Sequence, residues 1–549
     1  MKKALFFYLL LLASLPLAAQ DSDLARRLDK LMTDTYPEGE PGATVIVKQG
    51  DDILLRKAYG MADMELQVPM QPENIFRLGS ITKQFTAVSI LKLREEGKLE
   101  LDEKITTYLK DYPAETGDKV TVRQLLNHTS GIPSYTSQSD FPTYMTDHLS
   151  LSELIDKFKT LPLDFEPGTE WSYNNSGYIL LGAIIEAVSG KSYEEYVEQE
   201  LFAPLGMEHS YYGNVKDIIP GRVEGYGKDG ENIIVAPYLS MSLPHAAGSL
   251  VSNVDDLAVW DKALYEGNLL PAESLKEAWT GSLLANGADT RYGFGWQVGQ
   301  VGEYTSIEHG GGINGFRTMM IRVPEKELLV AVLQNREWDA PVNLAVSLAE
   351  TALNTGGEPI AVKIKPKKLK EYTGNYRVTD EAFRVVSIRN DTLFSKRTRQ
   401  PGFALIPVAK DEFYSPGDNY GRFIFKRDNK GNITQLVFRP RGGMESPSFR
   451  TDDPAPAEPE VVEADPASYD RYIGKYQLAP AFALTVFTQG ESLMIQGTGQ
   501  QAIEVFPKSD KRFFAKVVNA EIEFLEENGE IQSLVLYQGG QELPGKKVE

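Results

Sequence analysis

The chain has 549 residues, 42% of them hydrophobic, no cysteine and a formal charge of -20. That length implies several domains of roughly 100–200 residues, and the lack of cysteine excludes disulfides, thiol catalysis and zinc–thiolate sites. With no basic stripe to break the acidic balance, nucleic acid is not an expected partner, because its phosphates would be repelled.

Lys2 and Lys3 precede an apolar run over residues 4–17, and Leu17-Ala18-Ala19 places small residues before Gln20. This is signal-peptide patterning over residues 1–19, with cleavage after Ala19; an uncleaved anchor is the alternative. A periplasmic or secreted product is expected, without lipid attachment at a cysteine. Residues 44–47 and 53–59 then read as a hairpin.

Residues 80–96 read as a helix, with Phe85, Val88, Leu91 and Leu93 mostly on one side and Gly97 as the stop. Its start carries Gly79-Ser80-Ile81-Thr82-Lys83. A serine there meets unpaired N–H groups and a positive dipole, which favour an alkoxide and a developing oxyanion. Lys83 shares its face. In an otherwise apolar helix it is expected near a low-dielectric core, where burial lowers a lysine pKa and lets the amine take the serine proton. Standing alone, the pattern reads more simply as an N-cap serine and a surface lysine.

A polar loop follows Pro167-Gly168 and contains Tyr173-Asn174-Asn175, ahead of an apolar helix over residues 178–188 closed by Gly190. A phenol near cations can ionise below its usual value of about 10 and act as a base. The Asn175 amide both donates and accepts, so it can hold a substrate amide and the lysine together. The simpler alternative is an aromatic staple with an Asn N-cap.

Further on, His309-Gly310-Gly311-Gly312 interrupts an apolar run. Glycines let backbone approach a ligand, and a strand edge here would give an N–H to an oxyanion hole beside that of Ser80. A glycine-rich turn with a surface histidine is the alternative. Residues 316–323 and 328–334 read as strands around a Pro324-Glu325-Lys326-Glu327 turn. Strands at both ends with helices between predict an α+β domain, one antiparallel sheet flanked by helices. None of the five histidines pairs with another at metal-ligand spacing, so no metal is expected.

Composition breaks at residues 354–368 and 451–466 divide the rest. Tyr372-Thr373-Gly374-Asn375-Tyr376 matches Tyr472-Ile473-Gly474-Lys475-Tyr476 at an offset of 100, as do Leu393 with Leu493 and Phe413 with Phe513; Ile433 and Ile531 match at 98. This is a duplicated domain, with the short alternating runs of a meander or barrel. The expected layout is a signal peptide at 1–19, a large domain at 20–358, β-barrels at 367–450 and 467–549, and a Pro/acidic linker at 451–466.

Ser-x-x-Lys, Tyr-x-Asn and His-x-Gly in that order resemble the serine β-lactamase and penicillin-binding superfamily. Residues 125–133, 202–207, 247–252 and 292–296 add to the likeness, which covers roughly 24–353. The nearest branch resembles class C β-lactamase-related hydrolases: D-aminopeptidases, D-Ala-D-Ala carboxypeptidases and esterases. The two barrels resemble the D-aminopeptidase layout. The resemblance implies Ser80 as acylated nucleophile, Lys83 and Tyr173 as handlers of its proton, and Asn175, His309 and Gly311 as substrate-binding. It implies an oxyanion hole of the Ser80 and Gly312 N–H groups, and no cofactor. His128 is expected to be a structural turn residue. His309-Gly310 stands where the family has Lys-Thr, which weakens recognition of a penicillin-like carboxylate. The expected activity is cleavage of amides, peptides or esters in a small-molecule or short-peptide substrate. A non-catalytic cell-wall peptide sensor is the alternative from another class.

Overall fold

In the computed structural model, the apolar strands predicted at both ends of the large domain meet in one sheet. The structure describes all residues except 1–14, 215, 231, 268, 356–360, 380–381, 399, 416–420, 440–445, 457–460, 463, 480–481, 499, 501, 519, 539–540 and 549, with side chains from residue 23 on except at 479. Most of the expected signal segment therefore lies outside the described residues. The chain forms two units, Met1–Gly357 and Glu358–Glu549.

In the first unit, helix α1 spans Leu15–Thr35, followed by strands β1 (Ala43–Gln49) and β2 (Asp52–Tyr59). After the helical middle come β3 (Gln297–Val301), β4 (Tyr304–Ile313), β5 (Phe316–Val323) and β6 (Leu328–Gln334), then helix α6 (Val342–Ala352). The antiparallel order is β3-β4-β5-β6-β1-β2, so the ends of the domain meet where β1 pairs with β6. Both sheet faces are covered. Val330 and Val332 pack with Leu28, Met32 and Leu348 beneath α1 and α6, while Leu329, Ala331 and Leu333 face the helical region. A doubly covered strand needs apolar residues on both faces, hence the unbroken run of β6.

The helical region holds α2 (Thr82–Glu95), α3 (Asn175–Ser189), α4 (His245–Gly248) and α5 (Val254–Glu266). Helix α2 is buried on every side from Thr82 to Leu91, and its Phe85 stacks on Trp260 of α5 at 4.2 Å. Lys92 and Arg94 sit in its last turn, where the dipole favours cations, and Gly97 ends it at φ 69°.

The second unit contains two closed eight-stranded antiparallel barrels, from Gly374–Arg377 to Ser446–Thr451 and from Gly474–Ala479 to Gln541–Lys547. Each closes by pairing its first and last strands, Tyr376 with Arg450 and Tyr476 with Lys547. The repeated residues fill equivalent cores: Tyr372, Tyr376, Leu393, Phe413 and Ile433 in one, Tyr472, Tyr476, Leu493, Phe513 and Ile531 in the other. In both, the second tyrosine hydroxyl donates to the backbone carbonyl of the first at 2.8 Å.

Candidate active site

A single 3₁₀ turn, Gly79–Ile81, carries Ser80 into α2. Gly79 has φ +55°, and a Cβ there would stand 2.9 Å from the Gly312 nitrogen. Only glycine meets both demands. A Cβ on Gly311 would lie 2.0 Å from the Leu78 carbonyl oxygen. The glycine run thus lets β4 lie directly against the turn bearing Ser80. Pairing of β3 with β4 ends at Glu308, so among the described residues Gly310–Ile313 is paired only to β5. This is the free strand edge that the glycine pattern anticipates.

Lys83 is fully buried, not a surface lysine. Its Nζ lies 2.9 Å from Asn175 Oδ1, 2.9 Å from the Ala247 carbonyl and 3.2 Å from Ser80 Oγ. Burial holds its pKa well below the usual lysine value. A neutral amine has two hydrogens and one lone pair. Asn175 Oδ1 and Ala247 O can only accept, so they take both hydrogens, and the lone pair is left to the one neighbour that can donate, the Ser80 hydroxyl.

Asn175 is free for this task because Asn174 caps α3, its Oδ1 accepting from the Gly177 N–H at 2.8 Å. The helix thus begins three residues before its predicted start. Asn175 Nδ2 donates one hydrogen to Thr136 Oγ1 at 3.0 Å, leaving its second uncommitted.

Tyr173 departs from expectation. The residue is half-buried with its hydroxyl shut off from solvent, and its ring lies 4.5 Å from that of His128 and 6.1 Å from that of His309. Burial pushes its pKa up rather than down. The Ser80 hydroxyl pulls weakly the other way, yet no hydrogen bond closes on the phenol oxygen. The expected phenolate needs a cation beside it, but burial disfavours the charged form of the amine over its ring.

His309 supplies no cation either. Burial pushes its pKa down to about 3. Its Nδ1–H donates to the Gly310 carbonyl at 2.6 Å, and its Nε2 accepts from the Tyr292 hydroxyl at 2.9 Å. Both ring nitrogens therefore have partners within the protein, and His309 is not among the residues lining the cavity beside Ser80. Gly311, also expected to bind substrate, is packed on Leu78. His128 takes φ 63° in a turn and accepts at Nδ1 from the Asn174 N–H at 3.1 Å, the role of a structural turn residue.

Beside Ser80 lies a cavity of about 260 Å³, lined by Ser80, Asn175 and Gly312 together with Tyr135, Phe141, Leu239 and Leu243. The last four come from two single helical turns, Tyr135–Ser137 and Phe141–Tyr144, and from an irregular segment holding Leu239 and Leu243, none with a sequence period, and were not anticipated. Tyr292 belongs to the Tyr-Gly-Phe-Gly-Trp run, a signal that could have identified it.

The beta-lactamase family model matches residues 24–350, and a domain of unknown function, DUF3471, matches 458–547. A penicillin-binding protein of Bacillus subtilis (strain 168) is 27% identical over 516 residues, covering 91% of this chain and 93% of its own. Among solved structures, an octameric penicillin-binding protein homologue from Pyrococcus abyssi aligns with TM-score 0.54 at 27% identity, over 78% of this chain and 99% of its own. D-amino acid amidase from Ochrobactrum anthropi SV3 aligns with TM-score 0.54 at 26% identity, over 61% of this chain and 100% of its own. With the Ser80 turn, the sheet and the twin barrels, these matches place the chain in the beta-lactamase family of serine hydrolases, related to penicillin-binding proteins and D-amino acid amidases.

Proposed function

We propose that the protein is an exported, periplasmic or secreted, hydrolase that cleaves amide or ester bonds through an acyl-enzyme on Ser80. The observation that carries this reading is the set of three contacts at Lys83 Nζ, two to pure acceptors and one to Ser80 Oγ. Neutral Lys83 takes the Ser80 proton as Oγ attacks the substrate carbonyl carbon. The oxyanion forms against the N–H groups of Ser80 and Gly312. Tyr173, kept protonated by burial, gives its proton to the departing amine or alcohol and recovers one from Lys83. Water then hydrolyses the ester by the reverse proton path. Asn175 orients Lys83 and offers its second Nδ2 hydrogen to the substrate. His309 fixes the strand that carries Gly312.

The D-amino acid amidase likeness favours amides, while the missing cation beside Tyr173 weakens a penicillin-like reading. An aryl fluorophosphonate is expected to add covalent mass to the wild type and none to Ser80→Ala; equal labelling of both removes Ser80 from the role. Tyr173→Phe is expected to slow anilide cleavage about 100-fold or more but p-nitrophenyl ester cleavage far less, since p-nitrophenolate leaves without a proton. Equal slowing of both would contradict proton donation by Tyr173.

A further inference from the structure

We infer that the cavity beside Ser80 selects an uncharged, apolar acyl group about one ring in size and rejects acyl groups bearing a carboxylate or an ammonium; this rests on Ser80 being the nucleophile. The cavity borders Ser80, Asn175 and Gly312, whereas Tyr173, the proton donor to the leaving group, is not among its lining residues. On the proposed roles of Ser80 and Tyr173, this assigns the cavity to the acyl side of the scissile bond and the leaving group to the Tyr173 side.

Its walls are Tyr135, Phe141, Leu239, Leu243, Pro244 and Ile313, and among the described residues no ionisable acid or base lines it apart from Tyr135. That tyrosine offers only its ring, because its hydroxyl donates to the Leu243 carbonyl at 2.7 Å and burial holds the phenol protonated. Phe141 packs edge-on against it with centroids 5.6 Å apart. The remaining polar side chains of the wall are partly committed. Thr136 Oγ1 bonds Asn175 and Ser134, and Asn314 Nδ2 donates to the Pro237 carbonyl. A charged acyl group would lose water here with no counter-ion among the lining residues, Arg317 beside Gly312 lying outside them, and such burial is strongly unfavourable. An apolar cavity of about 150 Å³ holds benzene, so about 260 Å³ suits one ring with a short linker.

The test uses the full chain and five p-nitroanilides built on one skeleton: 3-phenylpropanoyl, N-acetyl-D-phenylalanyl, N-acetyl-L-phenylalanyl, D-phenylalanyl with a free ammonium, and benzylmalonyl with a free carboxylate. Expected kcat/KM for 3-phenylpropanoyl and the better N-acetyl enantiomer exceeds that of both charged substrates by about 100-fold. Phe141→Lys or, independently, Asn314→Lys places an ammonium at the wall. Either is expected to raise the benzylmalonyl to 3-phenylpropanoyl ratio at least about 10-fold. Parity or preference for a charged acyl group, no turnover of any anilide, or an unmoved ratio in both folded variants overturns the inference. Fluorophosphonate labelling separates the failures. A protein labelled at Ser80 that prefers charged acyl groups keeps its proposed function and loses this pocket assignment; one not labelled there loses both.

Discussion

Around Ser80, Lys83, His128, His309 and the Tyr173 hydroxyl are buried without a carboxylate partner, and burial drives each group toward its uncharged form. The barrels handle such groups differently. Arg427 lies against Asp411 at 2.7 Å and Glu371 at 3.0 Å, and Arg427 holds the Asp411 carboxyl below its usual range. Buried Glu521 lies between Lys508 at 3.0 Å and Arg512 at 2.9 Å. Pairing locks a charge in place. Burial without a counter-ion removes the charge and leaves a lone pair or a proton available for transfer. The same residue types thus serve as ties in one region and as reagents in the other.

The largest expected effect that would sharpen this contrast is at Lys83. Lys83→Met keeps the bulk of the side chain and removes the lone pair. The acylation rate, read by stopped-flow with an activated ester, is expected to fall about 10⁴-fold, or about 5 kcal/mol, while thermal stability holds. A fall below 10-fold would mean that the amine is not the base.

The next concerns Glu308, whose neighbour in the strand is His309. Glu308 is buried and bonded to Ser306 Oγ at 2.9 Å, and burial pushes its pKa from 4.5 up to about 7. A carboxyl raised in the folded state binds more protons there than when unfolded between those values. Its contribution is present in full below about 4.5 and lost as pH rises through 7. Chemical denaturation of wild type against Glu308→Gln is expected to show the wild type gaining roughly 3 kcal/mol relative to the variant between pH 7 and pH 4.5. A constant difference would mean that the carboxyl is not held neutral.

The smallest effect belongs to the barrels. Glu521→Gln breaks a charged group whose two partners are more than a third exposed. A loss of only about 1–2 kcal/mol is expected, shrinking in high salt. Insensitivity to salt would put the Glu521 group on the neutral side of the comparison.

Much of this arrangement was legible in the sequence because it rests on local pattern. The β1–β2 hairpin, strands β5 and β6 and the apolar helix after Ser80 each follow a period. The barrels follow from the repeat of Tyr372 and Tyr376 at Tyr472 and Tyr476. The Ser80–Lys83 spacing and the glycine run also predicted the close approach of strand and turn. What was not legible depends on three-dimensional burial. The charge on Tyr173 is set by whether its neighbouring amine is itself protonated, which the order of residues does not state. His309 read as substrate-binding because its occupation by Tyr292 and Gly310 is a tertiary fact. Tyr135, Phe141, Leu239 and Leu243 come to one cavity from aperiodic segments.

The central claim is an acyl-enzyme on Ser80. Trypsin cuts after Arg77 and Lys83, releasing residues 78–83, whose only hydroxyls are those of Ser80 and Thr82. Acid quenching during turnover of an activated ester, followed by mass spectrometry of that peptide, is expected to find the acyl mass on Ser80. Steady hydrolysis with no acyl group on Ser80, or with the group on Thr82, would contradict the account.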